Sequence, residues 1–332
     1  MQLSQVRGQE RVLTYLENIL GNDRLHHGLL FAGQDGVGKQ TVAKAFANRL
    51  LCRQAVGLDA CGNCGHCIRL SEGTHADYLL IERAYKSDGT QEKMIKVDQV
   101  RTLQRTLSLK SFEGGTRVIL ILDADRMNAS TANALLKTLE EPPENSFFIL
   151  TSNATSALLP TIISRCQLIR FSPLDTTALA EIASNMSVDP ALDLAAVVHE
   201  ANGSASRLVT MLDADIQDFR AQCMERIKHL GNLGTSVDVL DYAEKDAADK
   251  QRRTPYLVID LLQHWYRNVL IEDYTVGSPA RTVSRTKAPQ SHILSFLGDL
   301  DRIRAELDTN QRNIRIAMEE VWFGVAYLEK RS

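Results

Sequence analysis

The sequence predicts an α/β domain on a parallel sheet, carrying a short cysteine-rich insertion and followed by two helical domains. Three observations predict it. The glycine-rich loop "GQDGVGKQT" (33–41) lies between a short apolar run and a helical pattern. Two continuous apolar runs, at 116–125 and 146–153, alternate with helical spacing, as parallel strands covered on both faces do. Beyond Pro173 the chain is almost all helical in character.

Each element follows from local pattern. "QERVLTYLENIL" (9–20) places apolar residues at helical spacing. "HHGLLFAG" reads as a buried strand ending at Gly33, and "KQTVAKAFANRLLC" returns to a helix. "TRVILILDAD" (116–125) is a central strand ending at an acid, and "STANALLKTLEEPP" is a helix closed by Pro142 and Pro143. "SFFILTSN" (146–153) and "LIRFSP" (168–173) complete the strands. Helices then follow at "TTALAEIASNM", "PALDLAAVVHEANGSASRLVTML" and "IQDFRAQCMERIKHL". "GNLGTS" (231–236) reads as a linker. A last helical block holds 255–274 and 292–308, joined by a polar loop at 275–291. The expected domains are 1–172, 173–230 and 231–332, with no fixed-period repeat.

Composition narrows the function. The 332 residues are 44% hydrophobic and 24% charged, an ordinary globular balance. No apolar run reaches the ~18 residues a membrane span needs, and the polar start "MQLSQVRGQERV" lacks a signal core, so a cytoplasmic protein is expected. A net charge of −3 excludes a uniformly basic surface but leaves room for a local basic face. Six cysteines without an export signal point to thiols or a metal rather than disulfides.

The loop has the chemistry to hold phosphate. Gly33, Gly36 and Gly38 free the backbone to turn its N–H groups inward, and Lys39 adds a point charge. A hydrolytic loop continues with Ser or Thr, whose hydroxyl ligates Mg²⁺. Here Gln40 stands there, with Thr41 about 100° further round the helix. Cys52, Cys61, Cys64 and Cys67 have the spacing of a closed tetrahedral zinc site, with a redox C-x-x-C as the rival reading. His66 and His75 are competing ligands that four thiolates make unnecessary, while Cys166 and Cys223 read as packing.

The ordered set "VRGQERV", "GQDGVGK", "NALLKTLEEPP" and "TIISRC", with four clustered cysteines, resembles the subunits of the bacterial DNA polymerase III clamp loader, an AAA+ assembly. The resemblance covers roughly residues 5–210 and extends to the rest by length and helical character. It implies an AAA+ domain with an inserted zinc knuckle, a helical lid and a helical collar that joins subunits. The complex opens the sliding clamp with ATP and places it on primer-template DNA for the polymerase holoenzyme.

The same resemblance raises a question about ATP. A hydrolytic strand in this family ends in Asp-Glu, yet "ILDAD" offers only one acid of the pair in either register. Asp123 falls on the glutamate position with Leu122 on the metal acid, or Asp123 is the metal acid and Ala124 replaces the base. Asp125 is a possible stand-in. In "NGSASR" the lid arginine's place is taken by Ser206, with Arg207 one step on. In "TIISRC", by contrast, Arg165 matches the finger that the family sends into a neighbour's site, and Asn153 matches its first sensor. The resemblance therefore implies a non-hydrolysing subunit that binds ATP weakly or without turnover, beside gamma/tau and delta subunits. The alternative is an active gamma/tau-type ATPase using Thr41, Asp123 and Asp125. A stand-alone zinc-containing nucleotide switch is a third reading, which the finger motif disfavours.

Overall fold

The structure is a computed structural model. It describes residues 2–22, 25–86, 91–112, 115–186, 188, 192–249, 253–274, 288–309 and 311–330. Most of the expected polar loop at 275–291, its residues 275–287, lies outside the described residues. The chain forms two compact units, Met1–Met211 and Leu212–Ser332.

The first unit is built on five parallel strands: β1 (Gly28–Ala32), β2 (Tyr78–Ile81), β3 (Arg117–Ile121), β4 (Ser146–Ser152) and β5 (Gln167–Arg170). Their order is β2-β3-β4-β1-β5. Alternate residues of each strand face opposite layers. Leu29, Phe31, Val118 and Leu120 pack on α1 (Glu10–Gly21) and α2 (Lys39–Leu51) through Leu16, Val42 and Phe46. Behind α2 comes the short α3 (Gly65–Ser71) of the cysteine insertion. Leu30, Ile119, Phe148 and Leu150 face the other way, onto α4 (Val97–Leu107), α5 (Ala129–Glu140) and α6 (Pro160–Ile163). Burial on both faces is why β1 and the middles of β3 and β4 run apolar without alternation.

Strand β2 and helix α4 are absent from the expectations drawn from sequence. "YLLI" is only a few residues long and does not distinguish strand from buried helix by period. In α4 the signal is present, since Val100, Leu103 and Leu107 recur on one buried face.

Three helices follow the sheet: α7 (Thr176–Ser184), α8 (Leu194–Glu200) and α9 (Ala205–Leu212). The expected continuous pattern from 190 to 212 breaks at Asn202 and Gly203, both with positive φ (47° and 76°). A Cβ on Gly203 would lie 2.4 Å from the Pro173 Cβ, so only glycine allows this approach.

The second unit contains α10 (Ala214–Asn232), α11 (Ser236–Ala247), α12 (Arg253–Tyr274), α13 (Gln290–Asp308) and α14 (Ile314–Lys330). Cys223, Ile227 and Leu230 of α10 are buried in one core with Val239, Leu300 and Trp322. The expected linker 231–236 is instead a tight corner. The Gly234 N–H donates to the His229 carbonyl at 2.8 Å, and Thr235 and Asp238 cap α11 reciprocally. Deep in this core, the Tyr266 hydroxyl donates to Glu329 Oε1 at 2.9 Å, while burial raises the Glu329 carboxyl above its ordinary value.

Candidate nucleotide cleft, cysteine cluster and surface arginine

The glycine loop leaves β1 at the carboxyl edge of the sheet, where open parallel sheets hold ligands. A Cβ on Gly33 would lie 2.7 Å from the Phe171 carbonyl oxygen, so the loop's exit past the end of β5 requires glycine. Lys39 opens α2 and is buried. Its ammonium donates to the carbonyls of Gly33 at 2.8 Å and Gln34 at 2.6 Å. Desolvation lowers its pKa, against the opposing pull of Asp35, Asp123 and Asp125.

The segment expected to carry a lid arginine lies on this loop. The Ala205 N–H donates to the Gly36 carbonyl at 2.8 Å, and Gln34 Nε2 donates to the Asn202 carbonyl at 2.9 Å. A Cβ on Gly36 would meet Ser204 Oγ at 2.1 Å and Ser206 Oγ at 2.2 Å. The Arg207 N–H donates to Ser204 Oγ at 3.2 Å.

Asp123, two residues beyond the end of β3, has a left-handed conformation with φ of 52°. Its N–H donates to Thr151 Oγ1 at 2.9 Å. Both carboxylate oxygens have donors: Gln40 Nε2 reaches Oδ1 at 3.1 Å and Arg83 reaches Oδ2 at 3.2 Å. Thr41 makes no hydrogen bond to Asp123. Asp125 is also engaged, since its Oδ1 accepts the Asn153 N–H at 2.9 Å and its side chain is nearly enclosed. The structure thus gathers Gly33, Gly36, Gly38, Lys39, Gln40 and Asp123 around one cleft, and joins Asn153 to Asp125. Arg83 has no motif to mark it, lying beyond a strand that the sequence pattern does not reveal.

A Mg²⁺-nucleotide does not fit these residues as they stand. The metal would need carboxylate oxygens that Gln40 and Arg83 occupy, and Ser204 and Ser206 lie close against Gly36 of the loop that would hold the phosphates.

Arg165 lies at the opposite end of the sheet. Gln167 of β5 pairs with Leu29 of β1, which sets Arg165 beside Gly28 at the amino edge. The five residues of β1 separate it from the glycine loop, a span of about 16 Å at strand rise. Its NH1 donates to the Thr161 carbonyl at 2.9 Å and to Ser164 Oγ at 3.3 Å. Its NH2 meets Glu140 Oε1 at 2.7 Å, and both side chains remain partly exposed. Next to it, burial pushes the Cys166 thiol up to about 12, consistent with inert packing.

The four clustered cysteines converge. Their sulfurs all lie within 4.8 Å of one another, with Cys52–Cys61 at 3.5 Å, Cys52–Cys64 at 3.9 Å and Cys61–Cys67 at 4.0 Å. A tetrahedral ion bound at about 2.3 Å would hold sulfurs about 3.8 Å apart, so the cluster could hold a metal ion. The N–H groups of Cys61 and Cys64 already donate to the sulfurs of Cys52 and Cys61 at 3.2 and 3.3 Å. Desolvation raises the Cys64 thiol, but N–H and thiol donors outweigh it and take it to about 6. Gly62 adopts φ of 77° in the knuckle turn, whereas Gly65 begins α3 in ordinary helical geometry. His66 and His75 pair with each other at 3.0 Å, outside the sulfur cluster.

No described helix is long and apolar enough to cross a membrane. Residues 8–175 match the family described as "DNA polymerase III, delta subunit". The chain is 37% identical over 214 residues to DNA polymerase III subunit delta' of Pseudomonas aeruginosa, covering 64% of this chain and 63% of that one. It is 33% identical over 273 residues to subunit tau/gamma of Haemophilus influenzae, covering 79% of this chain but 38% of that one. With subunit delta' of Escherichia coli it shares 28% identity over 296 residues, 86% of this chain and 84% of that one. The chain thus spans less than two thirds of the length of the Pseudomonas and Haemophilus relatives. Motif order, the matched segment and the delta' relatives agree that the chain belongs to the DNA polymerase III delta-subunit family, with its delta-prime members.

Proposed function

We propose that this chain is a non-hydrolysing AAA+ subunit of a clamp loader, a delta-prime-type member that holds the assembly together and supplies Arg165 to a neighbouring gamma/tau ATPase. Delta would be a further partner, and the complex would use ATP to open the sliding clamp and set it on primer-template DNA. The observation that carries the reading is the position of Arg165. It is partly exposed at the amino edge of the sheet, about 16 Å of strand away from its own glycine loop. A side chain there lies away from its own cleft, which supports a role toward a nucleotide presented by another chain. The home cleft agrees, because Lys39, Asp123 and Asp125 are all engaged within the chain.

Arg165 would place a planar fork of donors against the γ-phosphate of the neighbour's ATP, stabilising charge that spreads over the transferred group. The domain division carried in this reading is a nucleotide-fold domain, a lid and a collar. The alternative of an active gamma/tau-type ATPase requires Thr41, Asp123 and Asp125 to assemble a metal site, against the contacts observed.

The test is phosphate release. The isolated chain should hydrolyse ATP at a negligible rate, with or without primed DNA. Turnover at the rate of a gamma subunit would reject the reading.

The resident metal is proposed to be Zn²⁺, held by Cys52, Cys61, Cys64 and Cys67. With every ligand position filled by protein, it would staple the insertion rather than act on a substrate. Metal analysis should return about one Zn per chain, and chelation should expose the four thiols to titration and lower the melting temperature. A metal-free, equally stable chain with all four thiols reactive would overturn the assignment.

A further inference from the structure

The disagreement between this cleft and a Mg²⁺-nucleotide has a specific cause in Arg83. We propose that the Arg83 guanidinium is the resident counter-ion of Asp123 and takes the place of a divalent cation, making this cleft selective against metal-bound nucleotides. The inference deepens the non-hydrolysing reading of the cleft but is independent of what Arg165 does.

The topology brings the two residues together. Strands β2 and β3 are neighbours, and the Leu122 N–H donates to the Ile81 carbonyl at 2.9 Å, so Arg83 and Asp123 leave the same edge of the sheet side by side. Their ion pair at 3.2 Å is largely enclosed, with side chains 24% and 13% exposed. Partial burial strengthens the attraction and equally strengthens the repulsion of any second cation. The other carboxylate oxygen accepts from the Gln40 amide, so Gln40 faces Asp123 with a donor where a metal site needs an acceptor. Lys39 is a third cationic or donor group in the same cleft, already directed to the loop carbonyls. A divalent ion binding Asp123 would have to displace Arg83 and Gln40 together. Asp125 is committed to the Asn153 N–H.

The probe is Mn²⁺ with ADP, added to the full chain and followed by water-proton relaxation, with Asp123→Asn as the control for uptake elsewhere. Wild type and Arg83→Lys should match the control. The double variant Gln40→Thr, Arg83→Gln should take up Mn²⁺ at least about tenfold more tightly, because a like charge has been removed. A further Asp123→Asn change should abolish that gain. Asp123-dependent uptake by wild type would overturn the proposal. So would a double variant that melts like wild type yet gains nothing. If the double variant does not fold, the comparison of wild type with Asp123→Asn decides alone. Unchanged complex turnover in Arg165→Ala would remove the finger and leave this inference standing, while Asp123-dependent Mn²⁺ uptake would do the reverse.

Discussion

Arg165→Ala is expected to slow ATP hydrolysis at the adjoining gamma/tau site by about 10³ or more, the scale of an arginine finger supplied in trans. Reconstituted complex would therefore lose that site's share of turnover while its other sites continue. Assembly should persist. Within the chain Arg165 makes a partly exposed ion pair with Glu140 and two local hydrogen bonds, and an exposed pair is worth only about 0–1 kcal/mol. Arg165→Lys should not restore the rate, since an ammonium keeps the charge but loses the two-pronged geometry. The measurement is single-turnover hydrolysis by the reconstituted complex beside gel filtration of the same sample. Wild-type rates in an intact Arg165→Ala complex would eliminate the finger assignment.

Asp246→Ala should strongly destabilise the helical bundle. Asp246 is buried on α11, where it accepts from Arg226 NH1 of α10 at 2.8 Å and from Trp322 Nε1 of α14 at 2.7 Å. The guanidinium lies over the rings of Tyr242 and Trp322, with centroids at 5.1 and 5.7 Å. Removing the carboxylate leaves an enclosed cation without a counter-charge and an indole N–H without an acceptor. Breaking a buried pair in this way costs about 3–5 kcal/mol. Asp246→Asn retains an acceptor for the indole and should cost less. Urea unfolding followed by tryptophan fluorescence reads the difference. An unshifted Asp246→Ala midpoint would show that apolar packing, not this pair, joins the three helices.

The bundle also shows how sequence patterns mislead at boundaries. "GNLGTS" has the composition of a linker, yet Gly231 continues α10 and a Cβ there would come within 3.3 Å of the Glu329 Cβ. Its glycine serves close helix packing rather than freedom of the chain. The break at Asn202–Gly203 has the opposite character. There the left-handed backbone interrupts an otherwise helical pattern and brings Ser204 and Ser206 onto Gly36.

Local pattern was enough to read the alternation of strands and helices, the glycine loop with Lys39, the four-cysteine spacing and the motif that contains Arg165. Helical and strand periods arise from burial within a few residues, and turn glycines and ligand spacings act over similarly short ranges, so they leave a trace in consecutive letters. What the side chains in the cleft are joined to required the fold. Arg83, Gln40 and Asp123 meet only because β2 lies beside β3 and α2 packs beneath them. The choice of register for Asp123, open when counted along the chain, gave way to an observation: both its oxygens are already taken. Strand order and the approach of Ser204 and Ser206 to the glycine loop are long-range outcomes of packing, and no short stretch of sequence carries them.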